Sequence, residues 1–126
     1  MIENFTFLDL NRLPNYGDAL IGRVPAGILD SRTLLRAVAD ALSFPAYFGE
    51  NWNALFDCLR DFHWTDKRNI VLIHEDMPAI PRDEMKVYLE VLRDATNDWK
   101  VGEPHELVVI FNVFCRNDVT EALLGE

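Results

Sequence analysis

Phe44-Pro45-Ala46-Tyr47-Phe48-Gly49-Glu50-Asn51-Trp52-Asn53-Ala54-Leu55-Phe56-Asp57-Cys58-Leu59-Arg60-Asp61-Phe62-His63-Trp64 is the stretch from which the fold is read. Pro45 forces Phe44 out of helical geometry and so ends whatever helix comes before it. Gly49-Glu50-Asn51 is turn chemistry. Beyond it, Trp52, Leu55, Phe56 and Leu59 recur at the spacing of one helical face, while Asn53, Asp57 and Asp61 line another. Phe56 lies near the border of the two. The reading is a turn that feeds a short amphipathic helix, apolar toward the core and polar toward solvent.

Working toward the N-terminus, Asp30-Ser31 supplies capping side chains ahead of Leu34, Leu35, Val38, Ala41 and Leu42, again one face of a helix. The short run Ala19 to Val24 before it ends at Pro25 and Gly27 and reads as a strand. Phe5 to Leu10 reads as a peripheral strand, with a turn at Asn15-Tyr16-Gly17, so residues 1–20 are expected to form a peripheral N-terminal extension.

Toward the C-terminus, Asn69 to His74 is a near-continuous apolar run of strand length, as in a strand buried on both faces of a sheet. Glu75 and Asp76 end it. Pro81 is placed as a first-turn proline, with Asp83 and Glu84 at the positive helix end. Met85, Tyr88, Leu89, Leu92 and Trp99 form the apolar stripe of the longest helix, and Glu90, Asp94 and Asp98 a row of like charges on its other side. Gly102 and Pro104 break the chain before a second buried-strand run, Leu107 to Phe111; the tail from Asn117 is at most a short helix. Strand, helices, strand, helix, strand is an α/β order, which predicts a mostly parallel sheet with right-handed crossovers.

At 126 residues and 49% apolar content, the chain is the length of one domain, 1–126, with enough apolar mass for a core. Twelve Lys and Arg stand against 21 Asp and Glu, a formal charge of −9. Such a surface repels phosphate backbones and anionic membranes and attracts basic proteins, so direct nucleic-acid or membrane binding is not expected. Acidity also serves plain solubility. Cys58 and Cys115 both sit in apolar runs and are too few for a disulfide framework, so a reducing, cytoplasmic compartment is expected. Met1-Ile2-Glu3-Asn4 has no basic lead-in of a secretory signal, and no apolar run is long enough to span a membrane.

The run from Phe44 to Leu59, an aromatic-Gly-Glu-Asn turn leading into Ala-Leu-aromatic-Asp-Cys-Leu, resembles the signature of the barstar family, intracellular inhibitors of barnase-type secreted ribonucleases. The later order of strand, helix around Tyr88 to Ala95, and strand is similar to the rest of that family. The resemblance implies a barstar-like α/β fold with three mostly parallel strands covered by helices. It also implies a binding face made of the signature turn, its helix and part of the next long helix. Position by position, Tyr47, Gly49 and Asn51 match the contact turn, Asp57 the central inhibitory carboxylate and Phe56 an aromatic contact. Asn53, Asp61 and Phe62 fall at further contact positions, and Val91 and Asp94 match contacts of the later helix. Asn53 stands where the family's best-known member has a carboxylate, Phe56 replaces a tryptophan, and Asp94 is shorter than the usual glutamate. The implied partner is a basic ribonuclease-like toxin, whose phosphate-holding cleft carboxylates on a rigid helix can fill without any chemistry. The implied role is that of an immunity protein, a monomer when free, with no catalytic residues, no metal and no cofactor.

Other readings stand beside this one. Asn53, Asp57 and Asp61 could be a plain solvated face, Phe56 and Phe62 core residues, and Tyr47 a turn residue packed over the sheet edge. His63 follows the helix end, where capping the C-terminus is its default role and an acid–base pair or metal site with Asp57 and Asp61 the alternative. His74-Glu75-Asp76 has the residue types of a small enzyme's site, but neighbours on a strand point to opposite faces. Cys58 lacks basic activation and reads as buried, and His105 reads as a loop residue. A barstar-fold interaction module with a non-nuclease partner is the remaining rival.

Overall fold

In the computed structural model, which describes residues 2–124 with the side chain of Ile2 excepted, the chain alternates strands and helices as its apolar periodicity requires. The strands are β1 (Phe5–Leu8), β2 (Ala19–Val24), β3 (Asn69–His74) and β4 (Glu106–Asn112). The helices are α1 (Ser31–Ala41), α2 (Trp52–Leu59), α3 (Arg82–Asp98) and α4 (Arg116–Leu124). The sheet order is β1-β4-β3-β2 and every neighbouring pair is parallel, with Ile21 opposite Val71, Val71 opposite Val108, and Phe5 opposite Val109.

One expectation changes: the sheet has four strands and not three, because the peripheral Phe5–Leu8 strand pairs along β4 at the sheet edge. Helices cover one of its two faces. Strand alternation sends Ile70, Leu72, Leu107, Val109 and Phe111 into one core shared with all four helices. It sends Val71, Ile73 and Ile110 to the opposite face, where Leu10, Leu13 and Tyr16 of the β1–β2 connection lie across them. The N-terminal extension is thus structural: an edge strand followed by a strap over the second face. Lys67, just before β3, ties that strap down through an ion pair with Asp18.

Local chemistry sets the helix ends. Asp30 caps α1 by accepting the Thr33 N–H at 2.7 Å. Pro81 is the residue immediately before α3 and not within its first turn. Gly22 of β2 is buried, and a Cβ there would lie 2.4 Å from the Ala41 carbonyl oxygen, so only glycine lets the end of α1 pack this closely on the sheet. α2 and α3 lie side by side in the same direction. Trp52 meets Tyr88 at their N-terminal halves, with ring centroids 5.9 Å apart, and Arg60, just past α2, meets Asp98, the last residue of α3, at 2.8 Å. Trp99 Nε1 donates to the Leu59 carbonyl at 2.8 Å and seals that end.

Candidate binding surface

The segment between α1 and α2 is a turn under backbone constraint. Ser43 and Glu50 both adopt left-handed φ, 58° and 54°, uncommon for residues with a side chain. The turn is held at several points. Phe48 N–H donates to the Pro45 carbonyl at 3.1 Å, and the buried Phe48 ring meets Phe44 edge-on at 5.1 Å. Phe44 in turn meets Trp64, whose Nε1 donates to the Leu42 carbonyl at 3.1 Å. The Glu50 carboxylate faces Arg32 and Arg36 of α1 at 3.6 and 3.7 Å, so α1 braces the turn from outside.

Asn51 is the hinge between turn and helix. Its Oδ1 accepts the Ala54 N–H at 2.8 Å and caps α2, while its Nδ2 donates to the Gly49 carbonyl at 3.3 Å. A contact residue by resemblance, it is first of all a folding residue. Gly49 is different: its φ is not left-handed, and a Cβ there would meet only ordinary neighbours, the nearest at 3.4 Å. The fold does not demand glycine at this exposed position.

Past the cap, α2 buries Leu55, Cys58 and Leu59 and turns Asn53 and Asp57 outward, with Asp61 following just after the helix end. Phe56 is half-buried at the border, packed on the core edge, as is Val91 of α3. Among the described residues, Asp57 has no hydrogen-bond or ion-pair partner for its carboxylate. Asp94 is exposed and its Oδ1 lies 3.3 Å from Arg93, and Asp98 is occupied by Arg60. Arg60 also stacks 4.0 Å over the Trp99 ring and reaches Glu103 at 3.6 Å, so its charge is drawn toward the α3 end. Phe56 and Val91 both pack at the edge of the core that α2 and α3 share, while Asn53, Asp57 and Asp94 are exposed.

Phe62 does not belong to this surface. Its backbone is left-handed at φ 54° and its ring is fully buried, meeting Trp64 at 5.4 Å and His105 at 5.9 Å. The reversal that closes α2 turns this side chain inward, which removes it from the contact set the resemblance implied. The outward place beside Asp61 goes to His63. Its Nδ1 lies 2.8 Å from Asp61 Oδ2, and its ring is parallel to that of Tyr47 at 6.4 Å and edge-on to Trp64 at 5.4 Å. The cap position of α2 is taken by the Arg60 N–H, and His63 pairs with Asp61 but not with Asp57. Tyr47 is 65% exposed. Partial desolvation and then the Asp61 charge raise the titration of its phenol.

The groups considered for catalysis serve the core instead. His74 is fully buried, its ring 4.0 Å from Phe111 and parallel to it, with Nδ1 3.0 Å from the Ile110 carbonyl and Nε2 2.6 Å from the Tyr88 hydroxyl. Both ring nitrogens are spent. Burial pushes Cys58 up, with Asp61 and Asp57 adding to it, and pushes Cys115 up to about 11, so neither thiol is primed as a nucleophile. His105 lies in the loop just before β4, as read, but is buried, with Nδ1 2.7 Å from the Lys67 carbonyl. Among the described residues no cluster of three or more His, Cys, Asp or Glu could hold a metal, and no helix is long and apolar enough to cross a membrane. The brace of Arg32 and Arg36 on Glu50 was not legible from sequence. The spacing of the two arginines puts them on one face of α1, but nothing local says what that face meets.

The sequence profile of the barstar family, described as barnase inhibitor, matches residues 25–113, a span that contains the turn, α1, α2, α3, β3 and β4. The chain belongs to the barstar family. β1, the strap, β2 and α4 lie outside the matched residues, and comparisons with curated proteins and with solved structures return no match.

Proposed function

We propose that this protein inhibits a barnase-type ribonuclease by inserting the acidic outer face of α2 into the enzyme's basic cleft. The observation that carries this reading is Asp57: an exposed carboxylate at the centre of the family's signature helix, with no partner among the described residues. A carboxylate that no internal cation satisfies loses nothing internally when it pairs with an external Arg or Lys, and it mimics the anion such a cleft holds. Tyr47 and half-buried Phe56 supply aromatic area beside it, and the plain backbone at Gly49 allows close approach. We assign Asn53, Val91 and Asp94 to the same contact surface on the family resemblance. Inhibition of this kind is occlusion, with no bond made or broken, and we assign the protein no enzymatic activity. The net charge of −9 favours rapid encounter with a basic partner. An immunity role against a toxin ribonuclease, exercised as a monomer in the reducing cytoplasm, fits this acidic face and the two buried free thiols.

The test is inhibition of RNA cleavage by a panel of basic barnase-type ribonucleases. Stoichiometric inhibition that Asp57→Ala abolishes supports the reading, and no inhibition of any member sinks it. A second reading, a barstar-fold module for a non-nuclease partner, draws on Asn53 and Phe56, which replace a carboxylate and a tryptophan where partner choice is made. Specific capture of a protein with no nuclease activity, through the same face, would favour it.

A further inference from the structure

We infer that His63 is a further determinant of partner binding, because it shares Asp61 with the incoming partner and so makes affinity depend on its own proton. This rests on the inhibitor reading above. Asp61 is the one acid of the outer face with an internal partner that can change charge. His63 Nδ1 lies 2.8 Å from its Oδ2, and the His63 backbone N–H donates to its Oδ1 at 3.3 Å. The imidazole is well exposed, at 60%, and is held in place from two sides by the Tyr47 ring and the Trp64 edge. It is therefore an ordered part of the surface that Tyr47, Asp57 and Asp61 present.

Histidine is the side chain that changes charge between pH 5 and 8. When His63 is neutral, its Nδ1–H orients Asp61 and leaves the full negative charge for a basic partner. When His63 is protonated, the pair is neutral overall, and a partner Arg or Lys must displace one cation while meeting its repulsion. Complex formation therefore disfavours the protonated ring, and acid weakens binding. The surrounding groups leave Asp61 and His63 as the responsive pair. The turn contributes Tyr47, and its Glu50 is engaged by Arg32 and Arg36. α2 contributes Asp57 and the Cys58 thiol, and Arg60 beyond its end is engaged by Asp98 and Glu103. In the segment leading to β3, Lys67 is engaged by Asp18.

The experiment is to measure Kd against one inhibited barnase-type ribonuclease at pH 7.5 and pH 5.5 for the protein, for His63→Gln and for Asp61→Asn. Any histidine of the ribonuclease contributes equally to all three, so the difference in the Kd ratio isolates His63. The expected result is a ratio roughly three- to tenfold larger for the unaltered protein than for His63→Gln, the range of one exposed charge pair, with Asp61→Asn weakening binding at both pH values. Equal ratios for the unaltered protein and His63→Gln overturn this inference while the inhibitor reading stands. Absence of binding to every ribonuclease at both pH values overturns both.

Discussion

The Tyr88 hydroxyl of α3 donates a hydrogen bond to His74 Nε2 across 2.6 Å in the fully buried core, joining the central strand β3 to the longest helix. The Ile110 carbonyl takes the Nδ1–H at 3.0 Å, which fixes the neutral tautomer with Nε2 as acceptor.

Burial lowers His74 from 6.5 to about 4, against a weaker upward pull from the Ile110 carbonyl. In the unfolded chain the imidazole takes its proton near the ordinary value, so the unfolded state binds more protons between those limits. Stability is therefore complete above about pH 6.5 and falls as pH drops toward 4, by about 3 kcal/mol from this group. Urea denaturation at pH 7 and pH 5 measures it, and His74→Gln should flatten the difference. Tyr88→Phe leaves a buried nitrogen unpaired and should cost about 1–3 kcal/mol at pH 7.

Gly22→Ala drives a methyl group into the Ala41 backbone, with the carbonyl oxygen and carbon at 2.4 and 2.7 Å. Backbone cannot swing aside as a side-chain tip can, so α1 must shift. The expected loss is about 1–3 kcal/mol or more, read as a lowered Tm. Because α1 carries the Arg32 and Arg36 brace on Glu50, partner affinity should fall as well.

Asp57→Ala should separate binding from folding. The side chain is exposed and unpartnered, so the denaturation midpoint should stay within about 0.5 kcal/mol of the original. Affinity for an inhibited ribonuclease should drop by about 2 kcal/mol or more; barnase with barstar is the reference case for such pairing, so that magnitude is borrowed from the family. Loss of stability without loss of affinity would remove Asp57 from the contact face.

Asn51→Ala should do the reverse in part. Losing the cap on Ala54 N–H costs about 1 kcal/mol of stability, and losing the bond to the Gly49 carbonyl loosens the turn. Asn51→Asp, which keeps the cap acceptor but not the Nδ2 donor, should recover most of the stability and little of the turn order. Hydrogen exchange at Ala54 and around Gly49 distinguishes the two effects.

A strap of mostly polar sequence was not legible as part of the core. Leu10, Leu13 and Tyr16 are spaced by turn residues, and no local period announces that they cover Val71, Ile73 and Ile110. The edge strand β1 was visible as a strand, but its pairing with β4, about a hundred residues away, carries no local sign. On the surface, the turn and the outward face of α2 were readable, since helical spacing alone separates Asp57 from Leu55 and Leu59. Phe62 was misplaced because its direction depends on a left-handed reversal just past the helix, and a one-residue difference exchanges it with His63.

Periodicity and composition by themselves determined the α/β class, the helices, the buried strands and the acidic outer face of α2, because these follow from which residues repel or seek water at fixed spacings. Only the tertiary structure decided that the sheet has a fourth strand and a strap, that Glu50 answers to Arg32 and Arg36, and that His63, not Phe62, stands beside Asp61. Each of those outcomes depends on contacts between residues distant in sequence or on a single backbone reversal, and neither leaves a period in the chain.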